Sequence, residues 1–176
     1  RMKDKNPKRG YIPDLLPWMR ALLPIAKEKG VRMLTNAGGA NPEQAAIDVM
    51  ALSKELGIDR MKIGVMNNPS KSIYDETTAF GKAGFDFIDL TIEGPNAVNI
   101  DPEKMRPILD RYQLAVTGHT DPCLPWAYPI KEVRDACLRE FDRCAGIFSA
   151  LGSKIMNIHP CYFSPPAMKN ALVELN

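Results

Sequence analysis

Two histidines, His119 and His159, are the only imidazoles in the chain. Each is the first strong ligand after a short apolar run, Leu114 to Gly118 and Lys154 to Ile158. Neutral imidazole is the commonest side-chain metal ligand, and two on one rim can share an ion or flank a substrate. Either alone reads as a strand-end residue bonded to backbone. Occupying the equivalent place on two successive strands is what favours a metal or substrate role. Glu93 ends another apolar run beside Gly94 and Pro95, where a carboxylate can bind a sugar hydroxyl, move a proton or ligate a metal; capping the next loop is the equal alternative. Asn67 opens the loop Asn67-Asn68-Pro69. Asn67, Glu93, His119 and His159 are therefore the candidate substrate-binding residues. Glu93 is the candidate catalytic group, and His119 and His159 are the candidate ligands for a divalent metal (Zn, Mn or Mg).

Two further arrangements are weaker. Cys123 and Cys161 lie close after the histidines, so a closed His₂Cys₂ zinc site can be drawn, but it lacks the usual ligand spacing. Asn36-Ala37-Gly38-Gly39 leads into a helix start and offers backbone N–H groups to an anion. It is neither GxGxxG nor a P-loop, so a tight turn is the expected use and no nucleotide cofactor is expected.

These residues need elements to place them. An apolar stripe from Leu15 to Ala26 predicts a helix after Asp14, closed at Gly30, with Pro24 as a kink or break. Val31 to Thr35 reads as a short strand. Asn41-Pro42-Glu43-Gln44 reads as a capped helix start, with Gln44 as the capping-box partner, and the helix runs to Gly57. Further strands are expected at Lys62–Met66, Phe85–Ile92, Leu114–Gly118 and Lys154–Ile158. Helices are expected from Ser72 to Ala83, Asp101 to Tyr112 and Pro129 to Leu151, with one more over Met168–Leu175. Alternating strands and helices predict an α/β fold of about five parallel strands with helical crossovers. The strands read as unbroken apolar runs, the pattern of a sheet covered on both faces. Parallel α/β sheets put their chemistry on the loops after the strands, where Asn67, Thr91, Glu93, His119, Asp121 and His159 fall.

Composition sets the outer bounds. The chain has 176 residues, 45% hydrophobic and 25% charged, the profile of an ordinary globular protein. That is too short for a complete (β/α)₈ barrel, which usually needs roughly 250 residues. A net charge of +2 is too weak to point to nucleic acid. No apolar run approaches the roughly 20 residues of a membrane span. Four cysteines without a CxxC pair, and no export signal, give reduced thiols in a cytoplasm as the default.

Residues 61–176 resemble the xylose-isomerase-like barrel superfamily of sugar (phosphate) isomerases and epimerases, whose fold zinc-dependent apurinic endonucleases share. The stretches that carry this are Met61-Lys62-Ile63-Gly64-Val65-Met66, Gly84 to Gly94, Val116-Thr117-Gly118-His119 and Met156-Asn157-Ile158-His159-Pro160. The resemblance implies half of a TIM barrel, lacking ligands that the family draws from strands five to eight. In the endonuclease branch it implies zinc on the histidines after the third and fourth strands, where His119 and His159 fall. Residues 1–59 are similar to an internal piece of the acyclic terpene utilisation family, through Arg9-Gly10-Tyr11, Leu22-Leu23-Pro24 and Thr35 to Pro42. The implied division is 1–59, a helix-strand-helix segment, and 60–176, the half barrel. The seam reads as a joined or truncated reading frame with Met61 as an original start.

The function expected is that of a sugar or sugar-phosphate isomerase/epimerase-like protein acting on a small sugar-like substrate, with little activity alone. The alternatives are a zinc-dependent phosphodiesterase and a non-catalytic fragment that works only by assembling with another chain. Exposed sheet edges predict a homo-oligomer.

Overall fold

The computed structural model describes residues 6, 9–58, 61–94 and 100–160. Two helices lead, α1 (Leu15–Lys29) and α2 (Pro42–Glu55). Strands and helices then alternate: β1 (Gly64–Met66), α3 (Ile73–Ala83), β2 (Phe87–Ile92), α4 (Pro102–Tyr112), β3 (Ala115–Thr120), α5 (Lys131–Ala150) and β4 (Met156–Asn157). The strands form one parallel sheet in the order β1-β2-β3-β4. Each strand thus lies beside its sequence neighbour, the winding of an α/β barrel segment, and the fold is α/β as expected. The boundary drawn between 59 and 60, and the helix expected over Met168–Leu175, lie outside the described residues.

Local chemistry fixes the helix ends. Ser72 Oγ accepts from Asp75 N–H at 3.4 Å, and Asp101 Oδ1 accepts from Glu103 N–H at 2.9 Å with Pro102 at the first helical position. Gly30 (φ 66°) and Gly84 (φ 80°) close α1 and α3 in the left-handed conformation that glycine adopts without penalty. Two expectations fail here. The break allowed for at Pro24 is absent, since α1 is continuous through it, with Leu15, Met19 and Leu23 buried along one stripe. Asn41 makes no side-chain cap to α2; its amide donates to Arg9 O instead, and Gln44 reaches Asp48 rather than back to residue 41.

Val31–Thr35 is not a strand. Residues 31–36 are exposed and meet no neighbouring strand among the described residues, and Thr35 Oγ1 already accepts from Ala37 N–H to begin a turn. Strand-forming side chains without a partner edge do not make a strand. The described sheet therefore has four strands, where about five are expected. β3 also runs two residues beyond its expected end, to Thr120, because Thr91 and Ile92 of β2 extend the pairing opposite His119 and Thr120.

The two sheet faces differ. Val65, Ile88, Leu90, Ile92 and Val116 point to one face and pack on Ile73 and Phe80 of α3, Met105 and Leu109 of α4, and Cys144 and Phe148 of α5. Ala46 and Met50 of α2 join this core, while Ala45 and Leu52 pack with Leu15, Met19 and Leu23 of α1. The opposite face carries Asp89, Thr91, Thr117, His119 and Asn157, brought side by side by the register. The expectation of apolar strands covered on both sides is thus overturned. β2 and β3 alternate, apolar toward the helices and mostly polar on the opposite face, because all three crossover helices lie on one side.

Candidate functional site

The carboxyl edge of the sheet gathers the chemistry. Asp89, Thr91 and Glu93 fall at every second position on and just beyond β2, so they share the polar face. Thr117 and His119 do the same on β3, and His159 follows β4 two residues after Asn157. Parallel registry places Asp89 opposite Thr117, and Thr91 opposite His119.

His119 is held from both sides. Its Nδ1 lies 3.0 Å from Asp89 Oδ2, and the other Asp89 oxygen accepts from Thr117 Oγ1 at 2.8 Å. The pair is largely enclosed, with His119 at 12% and Asp89 at 22% side-chain exposure, so solvent screens it little. The Asp89 hydrogen bond raises the His119 pKa above its ordinary value against the opposing effect of burial. With Nδ1–H turned to Asp89, the neutral ring presents a lone pair at Nε2. That atom meets His159 Nε2, the two rings lying 4.6 Å apart between centroids and tilted by 35°. Trp126 Nε1 donates to the His159 carbonyl at 2.9 Å and steadies its backbone.

Glu93 stands beside this pair. Burial raises its pKa, the Asp121 carboxylate adds to the rise, and His119 and His159 oppose it. The Thr91 hydroxyl lies near enough to favour the charged form, but it does not meet hydrogen-bond geometry with Glu93. Asn67 is nearly enclosed, at 1% exposure, and its Oδ1 accepts from Thr91 N–H at 2.7 Å. Its Nδ2 and the Thr91 Oγ1 are both buried without a hydrogen-bond partner among the described residues.

Three of the four candidates, Glu93, His119 and His159, thus form one electrostatic cluster, and Asn67 adjoins it through Thr91. His119 lies within β3 rather than after it. The sequence reading missed Asp89 and Thr117. Their signal is the polar residue at every second place within an otherwise apolar strand, Asp89-Thr91-Glu93 and Thr117-His119-Asp121, which the reading as solid apolar runs hides.

A divalent metal fits this donor set only in part. The two Nε2 atoms converge, yet no group of three His, Cys, Asp or Glu side chains among the described residues is arranged to hold an ion. A catalytic zinc generally takes three protein ligands. Cys161, needed for the His₂Cys₂ arrangement, lies outside the described residues, and Cys123 is exposed. The turn at 36–39 is no anion cradle. Its N–H groups turn inward, Ala37 to Thr35 Oγ1, Gly39 to Asn36 O and Ala40 to Gly10 O. Surface hollows of about 390 Å³ beside Lys71 and Phe80, and of about 430 Å³ beside Leu124 and Cys137, are lined by none of the four candidates.

Residues 1–80 match the model of the family described as acyclic terpene utilisation family protein AtuA. The match covers α1, α2 and β1 and ends within α3, so it runs across residue 60. None of the curated proteins matches the chain. No helix among the described residues is long and apolar enough to cross a membrane.

Proposed function

We propose that the carboxyl edge of the sheet is an acid–base site for a small hydroxy-carbonyl substrate of the sugar or sugar-phosphate class, in the manner of an isomerase or epimerase. The observation that carries this reading is the juxtaposition of Glu93 with the Asp89–His119–His159 chain. A carboxyl group with a raised pKa is a suitable base for a C–H proton next to a carbonyl, and a nearby imidazole can supply a proton to the carbonyl oxygen. Glu93 takes the proton from the carbon and leaves an enediol. His119, as the imidazolium, gives its Nε2 proton to the carbonyl oxygen and becomes the neutral ring. Glu93 then returns its proton to the neighbouring carbon, or to the opposite face of the same carbon once the enediol has turned, while the hydroxyl that becomes the new carbonyl gives its proton back to the neutral His119 ring, completing isomerisation or epimerisation. Asp89 stabilises the imidazolium form of His119 during this exchange. The donor set supports no step through a metal ion. Glu93 is only half-buried, so water competes for it and turnover is expected to be slow.

The superfamily resemblance of residues 61–176 supports the same substrate class. The imidazole pair is also the feature that a phosphodiesterase reading would use. Two measurements separate them. Incubation with aldoses in D₂O should place deuterium on the carbon next to the carbonyl, an exchange lost in Glu93→Gln. Nicking of abasic duplex DNA without such exchange would replace this reading with the hydrolytic one. Neither activity would leave assembly with another chain as the role.

A further inference from the structure

Asn67 and Thr91 present a problem of hydrogen-bond accounting. Buried side-chain donors and acceptors are nearly always paired, because leaving one unpaired forfeits its hydration without return. Here two such atoms, Asn67 Nδ2 and Thr91 Oγ1, lie unpartnered among the described residues, in neighbouring side chains. The Asn67 side chain is not loose, since its Oδ1 accepts from Thr91 N–H at 2.7 Å and the Asn67 backbone N–H donates to Asp89 O at 3.4 Å. Its free end is therefore fixed in direction. Thr91 is fully buried on β2, opposite His119. Valine, of nearly the same shape, fits a β-strand at such a position equally well and carries no orphan. The hydroxyl is thus costly for folding, and among the described residues its one polar neighbour, the Glu93 carboxyl group, does not meet hydrogen-bond geometry with it.

We infer that Asn67, Thr91 and Glu93 form a subsite for two adjacent oxygens of a polyhydroxylated ligand, a 1,2-diol or a hydroxy-carbonyl. Asn67 Nδ2 can only donate, so it takes the lone pair of one oxygen; Thr91 Oγ1 can donate or accept and bonds the next. Glu93 stands where it receives a hydroxyl proton or the C–H proton between them. A single hydroxyl would satisfy one orphan and leave the other, which is why neighbouring oxygens are specified. The inference rests on the acid–base reading of Glu93 for its chemistry but not for its binding.

The test uses ribitol, whose oxygens are vicinal, and pentane-1,3,5-triol, whose oxygens are not. Ribitol should shift the Asn67 side-chain amide resonances and bind at least tenfold more tightly than the triol. Thr91→Val should fold with an equal or higher Tm and lose at least tenfold in ribitol affinity. Asn67→Asp, which keeps the acceptor for Thr91 N–H and removes the donor, should lose ribitol binding too. A Tm several degrees lower in Thr91→Val would give the hydroxyl a structural role and overturn the inference. Unchanged ribitol binding in that variant, as when only a bridging water uses the hydroxyl, would do the same, as would no binding of ribitol by the native chain. Ribitol binding without hydrogen exchange from any aldose would leave the subsite standing and sink the isomerase reading alone.

Discussion

Glu93 and His119 are both shifted upward, and their consequences for stability follow the same sign. A raised folded pKa means that folding favours the protonated form. For Glu93 that favourable contribution is complete below its ordinary value of about 4.5 and is lost as pH rises through the folded value. Glu93→Gln should therefore raise Tm at pH 7 and change it little at pH 4, measured by calorimetry at both. For His119 the contribution from Asp89 is complete below about 6.5 and declines as pH rises through the folded value. Asp89→Asn should then destabilise most in mildly acid buffer, with a smaller loss at pH 9, and denaturant titration across pH 5–9 reads that slope. A flat difference would mean that Asp89 serves only as partner to Thr117. At the same place, the two converging Nε2 atoms predict weak Zn²⁺ binding that His119→Ala or His159→Ala abolishes, followed by isothermal calorimetry.

Glycines let α5 close in on β3 and α3 close in on α4. A Cβ on Gly118 would stand 2.5 Å from the Phe148 ring, and one on Gly81 would stand 2.3 Å from the Tyr112 ring. Gly118→Ala should cost about 1–3 kcal/mol through overpacking of β3 against α5. Phe148→Ala should cost about 3–5 kcal/mol through the cavity it leaves. Adding Phe148→Leu to Gly118→Ala should recover part of the loss, the coupling expected of residues in contact. Helix ends were the most readable part of this architecture, since Ser72, Asp101-Pro102, Gly30 and Gly84 act through their nearest neighbours alone. Strand limits were less so. The end of β3 at Thr120 depends on how far β2 runs beside it, and the loss of Val31–Thr35 depends on having no strand alongside. Glu93 and the two histidines could be picked out because they follow apolar runs. Asp89 could not, because its role comes from Thr117 and His119 of another strand, 28 and 30 positions away.

The sheet packs its helices on one face, and the widest apolar exposure lies away from the sheet. Trp18, Leu22 and Ile25 recur at helical spacing along the outer side of α1, at 50%, 46% and 55% exposure, and Leu34 nearby is 93% exposed. Such a stripe promotes association, as does the outer edge of β4. Sedimentation velocity should show mass rising with concentration, and Leu22→Lys should weaken the rise if α1 is the contact. No change on that substitution would move the contact to the sheet edge.

The order β1-β2-β3-β4 also sets a gradient of persistence through the sheet. Among the described residues, β2 is bonded on both sides, to β1 over three residues and to β3 over six, whereas β4 contributes two residues to a single neighbour. Amide protons of Ile88 and Leu90 should accordingly be among the last to exchange with deuterated water, and those around Asn157 among the first. The partners in the imidazole contact would then differ in lifetime. His119 is carried by a strand with two bonded neighbours, and His159 by the margin that opens soonest. The contact between their rings would be made and broken by the fraying of β4, long before the sheet that carries His119 lets go.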